Sequence, residues 1–315
     1  MADRVVVTRR MPGTALDRLA EVAEVEVWPE RLPPSPEVLR ELVADADGLV
    51  TMLTDRVDAA LLDAAPRLRV VANMAVGYDN LDVAELARRG IPASNTPGVL
   101  TEATADLTWA LILATARRLQ EGIDAVRNGD WLTWEPDWLL GHAVGGATLG
   151  IVGYGRIGAA VARRALGFDM EVLAWSRRPK DVEGVTFVPL EELLERADVV
   201  SLHCALTPET HHLIGAAELA RMKPTAILVN TARGAIVDQA ALADALRRGE
   251  IFGAGLDVVV EEPIPVDDEL LTLPRCTVLP HLGSATVATR TRMAEMVVDN
   301  VLAGLAGQPL PNAIT

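Results

Sequence analysis

The chain of 315 residues is long enough for about two domains, and with 50% of its residues hydrophobic it can bury a core in each. Its 44 Asp and Glu outweigh 29 Lys and Arg, a formal net charge of −15 that argues against a nucleic-acid partner. The two cysteines, Cys204 and Cys276, suggest no disulfide framework, and the opening residues lack the basic-then-apolar run of a secretory signal. The apolar run 107–116, broken by Thr108 and Thr115, is far short of the ~20 residues that span a bilayer, so no membrane role and a cytoplasmic location are expected.

From the start of the chain, apolar strands are expected at 5–8, 25–28, 48–53 and 68–73, alternating with helices near 15–20, 37–44, 57–64 and 83–89. Such alternation predicts an α/β fold with a doubly wound parallel sheet. It stops at Asn95-Thr96-Pro97-Gly98, where a helical pattern runs from Thr101 to about Asn128 and the chain is expected to enter a second domain. The segment 131–138 then carries three of the six tryptophans in a polar, proline-broken context. It reads as an exposed contact for a second subunit or a substrate, with an ordinary packed loop as the plainer alternative.

The stretch Thr148-Leu149-Gly150-Ile151-Val152-Gly153-Tyr154-Gly155-Arg156-Ile157-Gly158 joins an apolar strand to a helix expected over 159–166, and a strand at 171–175 closes a βαβ unit. It has the form of a dinucleotide-binding turn. Gly153 permits the sharp turn, Gly155 lets backbone N–H groups approach a pyrophosphate, and Gly158 lets the helix pack on the strand. The helix N-terminus then faces the phosphates. A bare structural turn is the alternative for three spaced glycines.

At the end of the second strand of such a unit an Asp or Glu would bind a ribose 2′-hydroxyl. Here the place holds Ser176-Arg177-Arg178, which suits a 2′-phosphate because guanidinium groups form charge-assisted, two-pronged bonds to phosphate oxygens. NADP is therefore the expected cofactor, with NAD as the alternative because Asp181 lies nearby in sequence. Further strands are expected at 185–188, 199–203, 226–230, 253–257 and 277–279, with helices at 190–196 and 240–248. The tail, 286–306, reads as a helix that returns to the first domain.

Three reactive side chains follow, each beyond the carboxyl end of an expected strand, where open α/β sheets bind ligands. Arg233 can clamp a carboxylate and polarise a neighbouring keto oxygen. Glu262 and His281 suit a carboxylate–imidazole pair, the usual means of keeping a proton available near neutral pH. Taken singly, each has a plainer reading: a strand-end ion pair, a solvated acidic loop and a satisfied core histidine. His211-His212 lacks Cys or carboxylate partners at ligand spacing and reads as a loop or helix start, so no metal is expected.

Over nearly its whole length the sequence resembles the D-isomer-specific 2-hydroxyacid dehydrogenase family, and most closely its glyoxylate/hydroxypyruvate reductase branch. The resemblance rests on 75–82 (Ala-Val-Gly-Tyr-Asp-Asn-Leu-Asp), on 95–106, on the turn at 153–158 and on Leu206-Thr207-Pro208-Glu209-Thr210. Asn230-Thr231-Ala232-Arg233-Gly234, Glu262-Pro263 and Pro280-His281-Leu282-Gly283-Ser284-Ala285-Thr286 complete it. It implies two parallel-sheet domains: a flavodoxin-like substrate domain, 1–98 plus 286–315, and an inserted Rossmann dinucleotide-binding domain, 99–285.

The resemblance further implies that Arg233 binds the substrate's carboxylate and carbonyl, that His281 is the acid/base and that Glu262 supports it. Backbone N–H groups of Val76 and Gly77 match a second carboxylate clamp, and Leu53 a side of the substrate pocket. Cofactor-contacting positions correspond to Thr104, Gly153, Tyr154, Gly155, Arg156, Ile157, Gly158, Ser176, Arg177, Arg178, His203, Cys204, Thr210, Thr231, Ala232, Asp257 and Gly283. Trp134 resembles a tryptophan that reaches a partner subunit's active site, which implies a homodimer. Cys204-Ala205, where a proline is common, and Val259-Val260, where an aromatic-acidic pair is common, depart from the family pattern.

The implied activity is NADPH-dependent reduction of a small 2-oxoacid, glyoxylate or hydroxypyruvate, in a cleft between domains hinged near 95–98 and 282–285. Specificity of the 2-ketogluconate or D-lactate type, and a non-enzymatic dinucleotide-sensing protein on the same fold, are the alternatives. A phosphoglycerate dehydrogenase with a regulatory tail is not expected, since the sequence stops soon after its last helix.

Overall fold

Successive valines at 5, 6 and 7 point to opposite faces of a strand, and that alternation organises the first sheet of the computed structural model, which describes residues 2–315. The sheet comprises β1 (Asp3–Val7), β2 (Ala23–Val27), β3 (Gly48–Thr51), β4 (Val70–Asn73) and β5 (Ala93–Ser94), joined by α1 (Ala15–Ala20), α2 (Pro36–Leu42), α3 (Ala59–Ala64) and α4 (Val83–Arg88). All pairings are parallel, in the order β2-β1-β3-β4-β5, which is the flavodoxin-like order. Val6, Leu49 and Val71 pack under α2, α3 and α4 through Leu39, Leu61, Leu62 and Leu86. Val5, Val7, Val50 and Val70 face the other way, onto Leu19 of α1 and the C-terminal helix. Ser35, Asp58 and Asp82 start α2, α3 and α4, each accepting the N–H three residues on.

Beyond this sheet come α5 (Thr101–Ala116) and α6 (Leu119–Asn128), then the second sheet: β6 (Thr148–Val152), β7 (Glu171–Trp175), β8 (Thr186–Phe187), β9 (Val199–Leu202), β10 (Ile227–Asn230), β11 (Gly253–Leu256) and β12 (Cys276–Val278). Its helices are α7 (Arg156–Ala165), α8 (Leu190–Arg196), α9 (Ala216–Leu219) and α10 (Gln239–Arg248). The strands are parallel in the order β12-β11-β10-β9-β6-β7-β8. The chain starts in the middle at β6, winds outward to β8, then returns to the other side of β6 at β9. That reversal opens a crevice between the carboxyl ends of β6 and β9, the standard place for a dinucleotide. One face packs on α5 and α7, the other on α8, α9 and α10.

The chain divides into two compact units, Met1–Leu100 with Ser284–Thr315 and Thr101–Gly283. These boundaries lie two residues inside the 99–285 read from the sequence, because α5 starts at Thr101 and packs on β10, β11 and β12 of its own unit. The last helix, α11 (Val287–Leu305), covers α1, β3 and β4 of the first unit. After it Ala313 bridges Ser94, and Ile314 donates to the Ala93 carbonyl. The short strand β5, which the sequence reading passed over, thus lies between β4 and these C-terminal residues.

Two further expectations are corrected. The helix from Thr101 to Asn128 is two helices, because His142 N–H takes the Ala116 carbonyl that residue 120 would need, and Arg118 turns left-handed (φ 53°). The helix expected at 159–166 begins three residues earlier, at Arg156, directly behind the glycine turn. Among the described residues no helix is long and apolar enough to cross a membrane.

Candidate active site

The glycine turn is shaped by close approach. Gly153 has φ +98°, donates to Trp175 O of β7 at 2.8 Å, and lies so near the end of β9 that a Cβ on it would meet Cys204 N at 2.4 Å. A Cβ on Gly158 would meet Gly153 O at 2.5 Å, so the helix packs against the turn as the spacing predicts. At Gly155, the residue before α7, a Cβ would touch nothing. The open space there, in front of the first-turn N–H groups of a ten-residue helix that no side chain caps, suits a pyrophosphate.

Ser176, Arg177 and Arg178 follow β7, with both arginines exposed and Ser176 Oγ donating to Arg178 O at 2.8 Å. Lys180, to which the sequence reading assigned no role, donates to Tyr154 O at 3.3 Å. The cationic loop is thereby tied to the glycine turn, a link whose one sequence signal is that the basic run continues past Pro179. Arg177 also helps hold the Glu209 carboxyl below its usual range, after the larger effects of hydrogen bonds from Thr207 and the backbone.

His203 and Cys204 stand across the crevice, at the end of β9. Burial pushes the Cys204 thiol up to about 11, so it is no nucleophile at neutral pH. The His203 ring bonds Ser201 Oγ at 2.8 Å, and desolvation lowers its pKa to about 3, against 6.5 for a free imidazole. The unfolded chain therefore takes up a proton below pH 6.5 that the folded chain refuses. Stability from this group is complete above pH 6.5 and falls as the pH drops toward 3. Part of the residue's surface still reaches solvent, so a loss of about 1–2 kcal/mol at pH 5 is expected, read from urea unfolding at pH 7 and pH 5. A His203→Gln variant should abolish that difference; an unchanged difference would place its origin elsewhere.

Some of the residues expected to contact the cofactor also bond within the chain. Thr210 is buried, its hydroxyl donating to Ala205 O at 2.7 Å and accepting from Thr207 N at 2.8 Å, so it holds its own loop. Thr231 Oγ1 lies 3.0 Å from Thr108 Oγ1, and Thr104 Oγ1 donates to Gly283 O at 3.0 Å.

The reactive side chains stand beyond the carboxyl ends of three adjacent strands. Asn230, the last residue of β10, wraps the next loop: its Nδ2 donates to Arg233 O at 2.9 Å and its Oδ1 accepts from Ala232 N at 3.0 Å. Arg233 Nη1 donates to Ala232 O at 2.9 Å. Gly234 then lies against the chain after β11, where a Cβ on it would sit 2.0 Å from the Val259 carbonyl. Val259 N donates to Glu262 Oε1 at 3.3 Å, and Glu262 Oε2 lies 2.8 Å from His281 Nδ1.

His281 itself adopts φ +55°, a left-handed conformation that costs a non-glycine residue about 1–2 kcal/mol. It is held there by Asp257, whose carbonyl accepts His281 N–H at 3.0 Å and whose carboxylate accepts Leu282 N at 2.6 Å and Gly283 N at 2.8 Å. Burial pushes the Asp257 carboxyl up despite these bonds and the adjacent His281. With Nδ1 engaged by Glu262, Nε2 is the ring atom left to meet a ligand.

In the first unit, Val76 and Gly77 lie on the loop after β4, and Leu53 is exposed after β3. Asn95 Nδ2 donates to Val76 O at 2.8 Å and Asn73 Nδ2 to Gly77 O at 3.0 Å. Neither bond was foreseen from the sequence, where Asn95 fell within a family-like stretch and the expected hinge, and Asn73 only at the end of an expected strand. Trp134 is 80% and Leu132 86% exposed. His211 and His212 stack with ring centroids 4.0 Å apart, and no group of three or more His, Cys, Asp or Glu is placed to hold a metal among the described residues.

A seven-stranded sheet with this glycine turn at its reversal point, and with a carboxylate–imidazole pair beyond the same carboxyl ends of its strands, defines a dinucleotide-dependent oxidoreductase. Residues 109–283 match the family described as D-isomer specific 2-hydroxyacid dehydrogenase, NAD binding domain. The chain is 54% identical to a glyoxylate reductase of Korarchaeum cryptofilum, covering 100% of this chain and 96% of that one. A solved structure from Thermus thermophilus matches with a TM-score of 0.95 at 52% identity, covering 99% of this chain and 100% of the other. An NADPH-dependent glyoxylate/hydroxypyruvate reductase from Sinorhizobium meliloti, solved with NADP and malonate, matches with a TM-score of 0.86 at 34% identity, covering 100% and 97%. The chain belongs to the D-isomer-specific 2-hydroxyacid dehydrogenase family.

Proposed function

We propose that this enzyme reduces glyoxylate, hydroxypyruvate and similar small 2-oxoacids to D-2-hydroxyacids in the cytoplasm, with NADPH preferred over NADH. The observation that carries the reading is the 2.8 Å Glu262–His281 bond, one strand away from the Arg233 loop in a NAD-binding domain. Curated relatives near 50% identity bear the name glyoxylate reductase, which supports the substrate class.

The glycine turn 153–158 with Arg177 and Arg178 would hold a reduced nicotinamide dinucleotide, whose chemistry when bound would be to donate a hydride to the substrate's keto carbon. Arg233 grips the substrate carboxylate with its planar fork and stabilises the negative charge that develops on the keto oxygen. His281 delivers a proton to that oxygen from Nε2, while Glu262 at Nδ1 orients the ring. Hydride on carbon and proton on oxygen together give the alcohol. In the first unit, the N–H groups of Val76 and Gly77 would hold a substrate carboxylate. Thr104, Asp257 and Gly283, joined by hydrogen bonds, form the wall on which the nicotinamide end would rest.

For the cofactor's other end, the exposed Arg177 and Arg178 support recognition of a 2′-phosphate. Replacing both with alanine is expected to lower kcat/KM with NADPH by about 100-fold, two charge-assisted bonds being lost, and to leave NADH use nearly unchanged. The exposed Leu132 and Trp134 support an interface between two copies of the chain. The decisive experiment is a steady-state assay with glyoxylate, hydroxypyruvate and pyruvate, each against NADPH and NADH. No turnover with any pair would sink the reading; a strong NADH preference would overturn its cofactor part alone.

A further inference from the structure

We propose that Asn73, Asn80 and Asn95 are positioning residues that hold the Val76–Gly77 loop as a preformed carboxylate clamp. The inference rests on the reading that these two N–H groups bind substrate. Its starting point is three consecutive carbonyls that are each tied down: Ala75 O accepts from Thr96 N at 2.9 Å, Val76 O from Asn95 Nδ2 at 2.8 Å and Gly77 O from Asn73 Nδ2 at 3.0 Å. In a planar trans peptide the C=O and the following N–H point in opposite directions. Fixing those carbonyls therefore turns the N–H groups of Val76, Gly77 and Tyr78 the other way, and none of the three has a protein acceptor among the described residues.

The asparagines are themselves locked. Asn73 is fully buried, and Thr51 Oγ1 donates to its Oδ1 at 3.0 Å, which leaves Nδ2 as the end aimed at Gly77 O. Asn73 Nδ2 also reaches Asn80 Oδ1 at 3.2 Å, and Asn80 Nδ2 donates to Met52 O at 3.1 Å and Asp55 O at 2.9 Å. The loop carrying Leu53 and the loop carrying Val76 and Gly77 are thus joined through two side-chain amides. Asn95 is anchored from the far end of the chain, its N–H meeting Asn312 O, while Asn312 exchanges bonds with the fully buried Asn300 of α11. Donors held this way need no reordering when an anion arrives.

Such a clamp binds substrate and transition state alike, so loosening it raises KM and spares kcat. Asn95→Ala, which frees only the Val76 carbonyl, is expected to raise KM for glyoxylate about tenfold, with kcat and NADPH affinity each within about twofold. Asn80→Ala should act in the same direction. A fall in kcat at unchanged KM, or no change in either, would overturn the clamp while leaving the wild-type activity, and so the reductase reading, intact. An independent arm is needed should the wild type prove inactive or a variant fail to fold. Amide chemical shifts of Val76 and Gly77 in the labelled wild-type protein, titrated with sodium acetate, are expected to move ahead of those elsewhere in the first unit; silent amides would overturn the proposal whatever the enzyme assay shows.

Discussion

Replacing His281 with alanine is expected to lower kcat for 2-oxoacid reduction by about 10²–10⁴-fold while the dissociation constant of NADPH stays nearly constant. The expectation follows from where the ring is held. Its Nδ1 is committed to Glu262 at 2.8 Å, and its backbone is forced to φ +55° by three hydrogen bonds to Asp257, from the N–H groups of residues 281, 282 and 283. A merely structural histidine gains nothing from a strained backbone and a polarised ring. Removing the ring deletes the proposed proton donor but leaves the Asp257 hydrogen bonds, which involve backbone N–H groups, in place. Glu262→Gln should cost less, because a neutral amide oxygen can still orient Nδ1 though it lacks the charge. Stopped-flow turnover and cofactor fluorescence titration measure the two quantities separately; equal loss of both in His281→Ala would show that the residue holds the fold.

The glycine turn offers the other large effect, because its two glycines are required for different reasons. Gly153→Ala is expected to destabilise the protein by at least about 3 kcal/mol in denaturant unfolding. Its φ of +98° is strained for any residue with a Cβ, and that atom would lie 2.4 Å from Cys204 N. The neighbour cannot withdraw freely, since His203 N donates to Val152 O at 2.7 Å and so fixes the end of β9 against β6. Gly155→Ala should behave differently. At φ −93° with open space around the added carbon, it is expected to leave stability within about 0.5 kcal/mol and to weaken dinucleotide binding severalfold by occupying the phosphate's room. Similar stability losses in both variants would contradict this division of roles.

Much of this was legible along the chain. Alternation of short apolar runs with amphipathic helices located eleven of the twelve strands to within two residues at each end, because a parallel strand covered on both faces must be apolar throughout. Within that margin Gly48–Thr51 was overrun because Met52 and Leu53 continue the apolar pattern past the last pairing, and the strand missed, β5, is two residues between β4 and the chain's own C-terminus. The interrupted helix had the same cause: nothing near Ala116 announces that His142 will claim its carbonyl. Arg233, Glu262 and His281 were visible because chemistry restricts residue type and because strand ends are marked by the apolar runs before them. Lys180 and Asn73 were not, since a lysine and an asparagine acquire meaning only from the carbonyls they meet, Tyr154 O and Gly77 O.

By itself the sequence determined the α/β class and the glycine turn and named the candidate reactive groups, all of which follow from local pattern and intrinsic chemistry. Only the tertiary structure decided the strand order that places β10, β11 and β12 side by side, the 2.8 Å approach of residues 19 apart, and the pinning of the Val76–Gly77 loop by asparagines. The physical reason is that a hydrogen bond depends on ångström distances between groups whose separation along the chain leaves no trace in either partner's own neighbourhood.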